Sequence, residues 1–423
     1  MTQYGIRETG GKGAVQVNKQ RQRGRGEPWA IGAAYGFYYM AYTASFSFMA
    51  VFLKSRSITD AQVGVIYSLM AAVSLVAQPL LGYLADSKVP IKWIVLALMG
   101  GAIPVGFLVP LATSSFPLAA AAVLALAFFD QSLVTLLDSW TTQAAEKNAR
   151  IVYSVARGIG AFTCAVAGFL VGRAISAWGE GTIFWLHAAF MAPALVAACL
   201  FASVPCKNRA GQRQGEGHYT FWQAGKALLK NRAFALLLGG LLLLNIGNRA
   251  VVTYLPMLIG QFGGTAGDQG MAVTMMSVGV FPFMLLYPKL EKRFSNKKVL
   301  FFACVLVVGR SLSFALAGSL QVAIYMQLLE AAALGLYNPA LIRYTASVTP
   351  QRLRSSAIAL SAAVQVAVCG IVGNALASLF LAYASLRIMF VVYTALAAAG
   401  LCLVGFSLRQ KPVSDPGERP AGA

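Results

Sequence analysis

Charge is what this sequence has least of. Asp, Glu, Lys and Arg make up 11% of its 423 residues, and only 14 residues are acidic. Ordinary soluble domains carry about 25% charged residues. A surface facing water cannot be built from so few, which excludes a soluble globular enzyme. Histidine is scarcer still, with two in the chain. The six cysteines (Cys164, Cys199, Cys206, Cys304, Cys369, Cys402) lie inside or at the ends of apolar runs and form no Cys-x-x-Cys pair. They read as small apolar fillers, with no disulfide frame and no metal spacing. The phosphate-cradling pattern Gly-x-x-x-x-Gly-Lys-Ser/Thr does not occur, nor does a nucleophile elbow. The sequence therefore points to no enzyme, no ATP-driven pump within this chain, no metal and no cofactor.

Apolar sequence is what fills the chain: 58% of residues are hydrophobic, and the mean hydropathy is +0.67. A bilayer-spanning helix needs about 20 apolar residues. Runs bounded by charge, Gly and Pro occupy 29–53, 60–85, 91–110, 115–140, 154–175, 182–203, 232–260, 269–289, 298–318, 321–345, 354–381 and 386–408. They are continuous and do not alternate at period two, which argues against a β-barrel. The expected fold is an all-α membrane protein with twelve transmembrane helices in two six-helix bundles. The expected organisation is a basic tail (1–28), a first bundle (29–203), a polar central loop (204–231), a second bundle (232–408) and a short tail (409–423). The first run has no clear small-x-small cleavage site and reads as a retained helix, not a signal peptide.

The net charge of +20 comes from 34 Lys and Arg against the 14 acids. In a soluble protein that balance would suggest nucleic acid. Its placement gives another reason. With the N-terminus on the cytoplasmic side, 26 of the 34 bases fall in inner segments, while the outer loops keep Lys54, Arg56 and Arg387. That asymmetry obeys the positive-inside rule with both termini cytoplasmic. The expected setting is the cytoplasmic (inner) membrane. The expected partners are a small-molecule solute, protons and the lipid bilayer, with no nucleic acid, and the chain is expected to work as a monomer.

The two halves share a pattern. The second-to-third connection runs Gly82-Tyr83-Leu84-Ala85-Asp86-Ser87-Lys88-Val89-Pro90-Ile91-Lys92. The eighth-to-ninth runs Pro288-Lys289-Leu290-Glu291-Lys292-Arg293-Phe294-Ser295-Asn296-Lys297-Lys298. Each places an acid at a helix end, followed by a basic turn. Six helices repeated twice is the layout of many secondary transporters, whose solute sites lie at the repeat interface near the midplane.

Gly82, Leu84, Ala85, Asp86 and Lys92 resemble the signature of the major facilitator superfamily, Gly-x-Leu-Ala-Asp-(Arg)-x-Gly-(Arg)-(Lys). Val89 stands in place of its second glycine and Ser87 in place of a base. Within that superfamily the chain resembles the oligosaccharide/proton symporters, and related permeases for phenylpropionate-like acids and nucleosides share much of the pattern. The resemblance rests on the aromatic first helix (Tyr35, Phe37, Tyr38, Tyr39, Tyr42), on Gln78-Pro79-Leu80-Leu81-Gly82, on Asp138, on Ala156-Arg157-Gly158-x-Gly160, and on Arg310 and Glu330. It implies that Asp138 and Arg157 hold the solute. It also implies that Arg310 and Glu330 serve proton coupling, that Tyr38 lines the solute site, and that Gly82, Asp86 and Lys92 form a gating motif. Three positions depart from the pattern. Ala333 replaces a tenth-helix glutamate, Ser277 or Val278 stands where an eighth-helix glutamate is usual, and Cys164 is at or near a fifth-helix tryptophan. These departures argue against lactose as the solute and for a simpler proton relay.

An ionisable side chain at the centre of a span costs about 2.5–3.5 kcal/mol on insertion scales, so such residues normally face a cavity and are paired. The runs hold Asp130, Asp138, Glu330, Arg157, Arg249 and Arg310 in deep positions, with Arg173 and Arg343 nearer helix ends. Asp138 and Arg157 fit either a structural clamp or solute coordination. Asp130 lies eight residues before Asp138, about 80° round the helix, so both can face one cavity, with Asp130 either a second solute or proton group or a cavity-lining residue without a role. Glu330, among alanines and leucines, is a carboxyl that a proton can occupy and leave as Arg310 approaches and withdraws; the alternative is a permanent structural pair. Asn245, Asn248 and Arg249 share one face of the seventh helix and read as lining a solute cavity, with interhelical hydrogen bonding as the alternative; Arg249 has Asp130, Glu330 or an anionic solute as possible partners. His187 is lone and reads as a hydrogen-bonded core histidine, with a proton carrier as the alternative. Gly158, Gly160, Gly168, Gly172, Gly370 and Gly373 read as close-packing positions.

The function expected from these residues is proton-coupled symport of a small polar organic solute, such as a glycoside or nucleoside, by alternating access. A proton-antiporting exporter, an importer of an aromatic or carboxylic acid, and a receptor-like protein that does not transport are the competing readings.

Overall fold

The computed structural model describes residues 28–201, apart from 147 and 149, and residues 221–410. Residues 1–27 of the N-terminal tail, 202–203 at the end of the first bundle, 204–220 of the central loop and all but the first two residues of the C-terminal tail lie outside the described residues. Twelve helices are long and apolar enough to span a bilayer, and there is no strand among the described residues. They are α1 (Pro28–Ser55), α2 (Asp60–Ser87), α3 (Ile91–Leu111), α4 (Phe116–Ala145), α5 (Tyr153–Trp178) and α6 (Thr182–Leu200) in the first half. The second half holds α7 (Arg232–Gln261), α8 (Ala266–Phe294), α9 (Asn296–Ala315), α10 (Leu320–Val348), α11 (Ser356–Tyr383) and α12 (Leu386–Leu408). Polar residues stop the runs where the sequence predicts. Thr59 and Gln62 form a capping box on α2, Asn231 caps α7 and Ser385 caps α12, each satisfying donors that the first turn leaves free.

Three spans are not uniform α-helix. Thr43–Ser47 in α1 and Val364–Val368 in α11 are π-helical turns, and such turns recur at functional sites. In α10 the helix breaks between Leu320–Tyr325 and Gln327–Val348, which puts Glu330 in the first turn of the longer segment. The central loop also differs from its reading as polar loop throughout, because Phe221–Lys230 is a ten-residue helix. Leu228 on it is buried against the second half while Lys226, Leu229 and Lys230 are exposed. Its apolar stripe is short and lies in Gly- and Lys-rich sequence, so no spanning-length signal marks it.

The halves meet along α2 with α11 and α5 with α8. Hydrogen bonds join them from mid-bundle to the end opposite the termini: Ser68 Oγ to the Ile371 carbonyl at 2.8 Å, Tyr254 Oη to Asp60 O at 3.2 Å and Ser378 Oγ to Ala61 O at 2.6 Å. On the other seam Thr274 Oγ1 donates to Ala165 O at 2.9 Å and the Gly267 amide to Ser176 Oγ at 3.1 Å. Glycine permits this approach. A Cβ at Gly270 would lie 2.3 Å from Gly168 O, and one at Gly172 would lie 2.6 Å from Ala266 O. Gly160, Gly370 and Gly373 are similarly close to neighbours, but Gly158 has nothing within 4 Å and is not a packing position.

Candidate functional site

Three clusters of ionisable side chains occupy the interior. The first, in the amino-terminal half, joins α1, α4 and α5. Tyr35 Oη donates to Asp138 Oδ1 at 2.8 Å, and Arg157 Nη1 stands 3.4 Å from the same oxygen. Arg157 also donates to Tyr39 Oη, with its guanidinium over the Tyr39 ring at 5.1 Å from the centroid, a cation–π placement. Gly160 makes room for that ring, since a Cβ there would sit 2.5 Å from it. Asp138 and Arg157 keep side-chain exposures of 28% and 43%. They are partly reachable, as Arg249 also is, and they keep unused acceptor and donor capacity for a hydroxylated molecule. Tyr38 does not join them: it is fully buried and donates to Asp130 O at 2.7 Å. Tyr35 and Tyr39, one turn apart on α1, hold this cluster instead.

The second cluster lies in the carboxy-terminal half and is closed. Arg310 of α9 and Glu330 of α10 are buried and stand 3.2 Å apart. Arg310 also donates to Asn248 Oδ1, and through Nη2 to Gln327 Oε1 at 3.1 Å. Asn248 completes the ring by donating Nδ2 to Glu330 Oε1 at 3.3 Å. The helix start at Gln327 sets partial positive charge beside Glu330, and Phe314 closes the guanidinium from one face. A buried ion pair persists only when its remaining hydrogen-bonding groups are supplied, and Asn248 and Gln327 supply most of them. Gln327 escaped the sequence reading, although its place one turn before Glu330 on a helix is a usable signal.

Asn245 shares the buried face of α7 but bonds elsewhere, donating to Leu241 O at 2.9 Å and Tyr337 Oη at 3.0 Å. Arg249 reaches neither Asp130 nor Glu330. Its Nε donates to the Gln365 carbonyl at 3.0 Å, within the π-helical turn of α11, where helix geometry is loosened. Helical phase put Arg249 on the interior face and gave no view of α11, so the carboxylate partners expected from sequence were the wrong ones.

The third cluster pairs two residues that the sequence kept apart. Asp130 of α4 and His187 of α6 are both buried, with Nε2 at 3.2 and 3.1 Å from the two carboxylate oxygens. Ser45, in the π-helical turn of α1, donates to Asp130 Oδ2 at 2.9 Å. His187 is hydrogen-bonded and internal as expected, but it is not lone, and Asp130 does not share the reachable face of Asp138.

At the termini end, Gly82 lies in α2 with open space around it and Asp86 in the last turn of that helix, its side chain outside the described residues. Lys92 donates to Cys199 O and Phe201 O, both at 2.7 Å. Arg343 pairs with Glu291, the acid of the eighth-to-ninth connection. Among the described residues, no group of three or more His, Cys, Asp and Glu side chains could hold a metal.

A membrane bundle of twelve spans with paired charges in each half is a transporter's architecture, and known proteins agree. The maltose permease of Geobacillus stearothermophilus is 28% identical over 332 residues, 78% of this chain and 82% of that protein. The transporter YwbF of Bacillus subtilis (strain 168) is 25% identical over 339 residues, 78% of this chain and 81% of its own. Among solved structures, the nucleoside transporter NupG superposes with a TM-score of 0.76 at 14% identity, covering 91% of this chain and 99% of that one. The D-xylose-proton symporter gives 0.66 at 14%, covering 91% and 98%. Residues 28–392 match the MFS_1 like family, and the chain is accordingly a member of that family, a multi-pass membrane transporter of the major facilitator type and not an enzyme.

Proposed function

We propose that this transporter is a proton-coupled symporter of a glycoside or a related polyhydroxylated solute. The observation that carries the coupling is the buried ring of Arg310, Asn248, Gln327 and Glu330. Arginine keeps its proton at any accessible pH, so Glu330 is the member of the ring that can change charge. While Arg310 is 3.2 Å away, the carboxylate is compensated. When alternating access separates α9 from α10, an uncompensated charge in an apolar interior is costly, and a proton neutralises it. Proton occupancy is thereby linked to conformation, which is the requirement for symport.

The solute reading rests on Asp138, Arg157 and Tyr39. A carboxylate accepts from hydroxyls, a guanidinium fork donates to them, and the tyrosine ring offers a flat apolar face. Similarity to a maltose permease, a nucleoside transporter and a xylose symporter supports a hydroxylated solute. We place both termini in the cytoplasm, from the distribution of bases, so that the solute pair faces inward in this conformation. On the same reading the division into halves falls between residues 203 and 232, and the monomer is the working unit.

The test is uptake into proteoliposomes with an imposed pH gradient, acid outside. Maltose, xylose and uridine serve as probes. The expected result is accumulation that collapses with the gradient in the wild type. Glu330→Gln should retain solute exchange but lose accumulation. Gradient-driven accumulation undiminished in Glu330→Gln removes its assigned role, and solute leaving against an acid exterior would establish the exporter instead.

A further inference from the structure

The cluster left without a part in that scheme is Asp130 with His187, and we infer that the two form a second proton-binding site, in the half opposite Glu330. The inference does not depend on which solute the chain carries.

The arrangement resembles that of the other half in its carboxylate and donor, but the base differs in kind and comes from α6, the sixth helix of its half, where Arg310 comes from α9, the third of its own. In each half a carboxylate on the fourth helix accepts from a polar side chain on the first: Ser45 to Asp130, and Asn248 to Glu330. In each half it also faces a nitrogen base. In the carboxy-terminal half the base is Arg310, and in the amino-terminal half it is His187. An arginine cannot release its proton, whereas an imidazole can. Glu330 can be neutralised only at the cost of leaving Arg310 unpaired. Asp130 and His187 can hold one proton between oxygen and nitrogen with their contact intact, and that proton makes the pair neutral overall. Without it the pair is a net anion in a site where the two side chains are 4% and 0% exposed, and such an anion is expensive to bury.

Two further features mark the pair as a site rather than packing. His187 Nδ1 is buried with no hydrogen-bond partner among the described residues. It faces Gly106 of α3, where a Cβ would lie 3.2 Å from it. Asp130 also lines a small cavity between α1, α2 and α4, together with Tyr42, Ser45, Met49, Met70 and Gln131.

The other ionisable groups around the pair are already committed. From α1, Tyr38 donates to Asp130 O and Tyr42 lines the cavity. On α4, Asp138 lies eight residues on, about 12 Å along the helix, and is bound to Tyr35 and to Arg157 of α5. From α7, Arg249, within electrostatic range of Tyr42, is held by Gln365 O. The residues that α2 and α3 turn towards the pair, Met70 and Gly106, carry no charge.

The experiment uses the chain's poverty in histidine. His218 is the other imidazole, so the full-length protein carrying His218→Gln and labelled with 15N-histidine gives the ring signals of His187 alone. Titrated in lipid nanodiscs from pH 5 to 9, those signals should pass between one-proton and two-proton ring forms. The transition should be lost in Asp130→Asn and displaced in Ser45→Ala, a milder change that decides the matter if Asp130→Asn does not fold. It should persist in Glu330→Gln, where accumulation of solute is lost, so a failure of the coupling scheme and a failure of this site are read separately. A ring state constant across the range, or a transition untouched by both Asp130→Asn and Ser45→Ala, would overturn the inference. Disappearance of the transition in Glu330→Gln would show one coupled site instead of two and would overturn it equally.

Discussion

Lys92 and Lys297 do the same job in the two halves. Each is the second residue of its helix, α3 and α9, and each binds the closing carbonyls of the last helix of its own half. Lys92 Nζ reaches Cys199 O and Phe201 O at the end of α6, and Lys297 Nζ reaches Leu408 O at 2.8 Å and Gln410 O at 3.1 Å at the end of α12. The last carbonyls of a helix have no partner within it and carry partial negative charge. A lysine there both satisfies and neutralises them. Lys92→Met and Lys297→Met should each lower the melting temperature of the purified protein by a few degrees, reflecting about 1 kcal/mol for a cation at a helix C-terminus. The Arg replacements should recover part of the loss. Unchanged melting in both Met variants would show that these contacts contribute nothing.

The seam between α5 and α8 makes a prediction about conformation. Gly270 on α8 faces backbone, with Gly168 O only 2.3 Å from where its Cβ would be, and backbone cannot swing aside as a side chain can. Gly270→Val should therefore hold the sealed end apart. A cysteine introduced at Ser176, beside the same seam, should react several-fold faster with a membrane-impermeant maleimide in the Gly270→Val background, and uptake should fall. Gly100→Ala, at a position with nothing within 4 Å, is the control and should change neither. Equal labelling rates in the two backgrounds would count against a steric seal.

Much of the fold was legible because the bilayer imposes one length on every span. The run read at 386–408 coincides with Leu386–Leu408, and the run at 232–260 ends one residue short of Gln261. The site was legible residue by residue and in two of its pairs, Asp138 with Arg157 and Arg310 with Glu330, but not in the third. Asp130, Asp138, Arg157, Arg310 and Glu330 stand out as charges in apolar runs, and scarcity alone finds them. The partners of Asp130 and Arg249 are another matter. Asp130 and His187 are 57 residues apart, and helical phase says which side of α4 the carboxyl is on but not which of three neighbouring helices lies there. The same gap left Arg249 with Asp130, Glu330 or an anionic solute as partners on sequence, where the structure gives it the Gln365 carbonyl. A carbonyl in a π-helical turn carries no sequence mark at all. Tyr38 and Tyr39 show the same limit: adjacent residues differ by 100° round a helix, and the sequence does not say which direction faces the cavity.

For the reachable cluster, solute affinity should fall in an order set by geometry. Asp138→Asn keeps the shape and removes the charge that Tyr35 and Arg157 share. A hydrogen bond to a charged group is worth about 1.5–3 kcal/mol, so the thermal shift given by a bound solute should need roughly 10- to 150-fold more ligand. Arg157→Lys should also weaken binding, because a single ammonium cannot contact Tyr39, Asp138 and a solute in one plane. Tyr38→Phe removes a hydrogen bond to backbone inside the bundle. It should lower stability with little change in affinity. Loss of affinity in Tyr38→Phe comparable to that in Asp138→Asn would return Tyr38 to the solute site.

The closed cluster predicts a compensation between two charges. Removing one partner of a buried pair strands the other, at a cost of about 3–5 kcal/mol, whereas replacing both with neutral groups of similar shape is often neutral. Arg310→Gln leaves Glu330 with Asn248 as its one remaining hydrogen-bond donor, and Glu330→Gln leaves the guanidinium with no counter-charge. The double variant Arg310→Gln/Glu330→Gln retains two amides able to bond each other and the flanking Asn248 and Gln327. Melting temperature should drop clearly in Arg310→Gln and return towards the wild-type value in the double variant, while gradient-driven accumulation stays absent in both. Stability and coupling would then have been separated at one pair of residues. If the double variant were as unstable as Arg310→Gln, the pair's contribution would lie in its packing against Phe314, 5.2 Å from the guanidinium, and not in charge compensation.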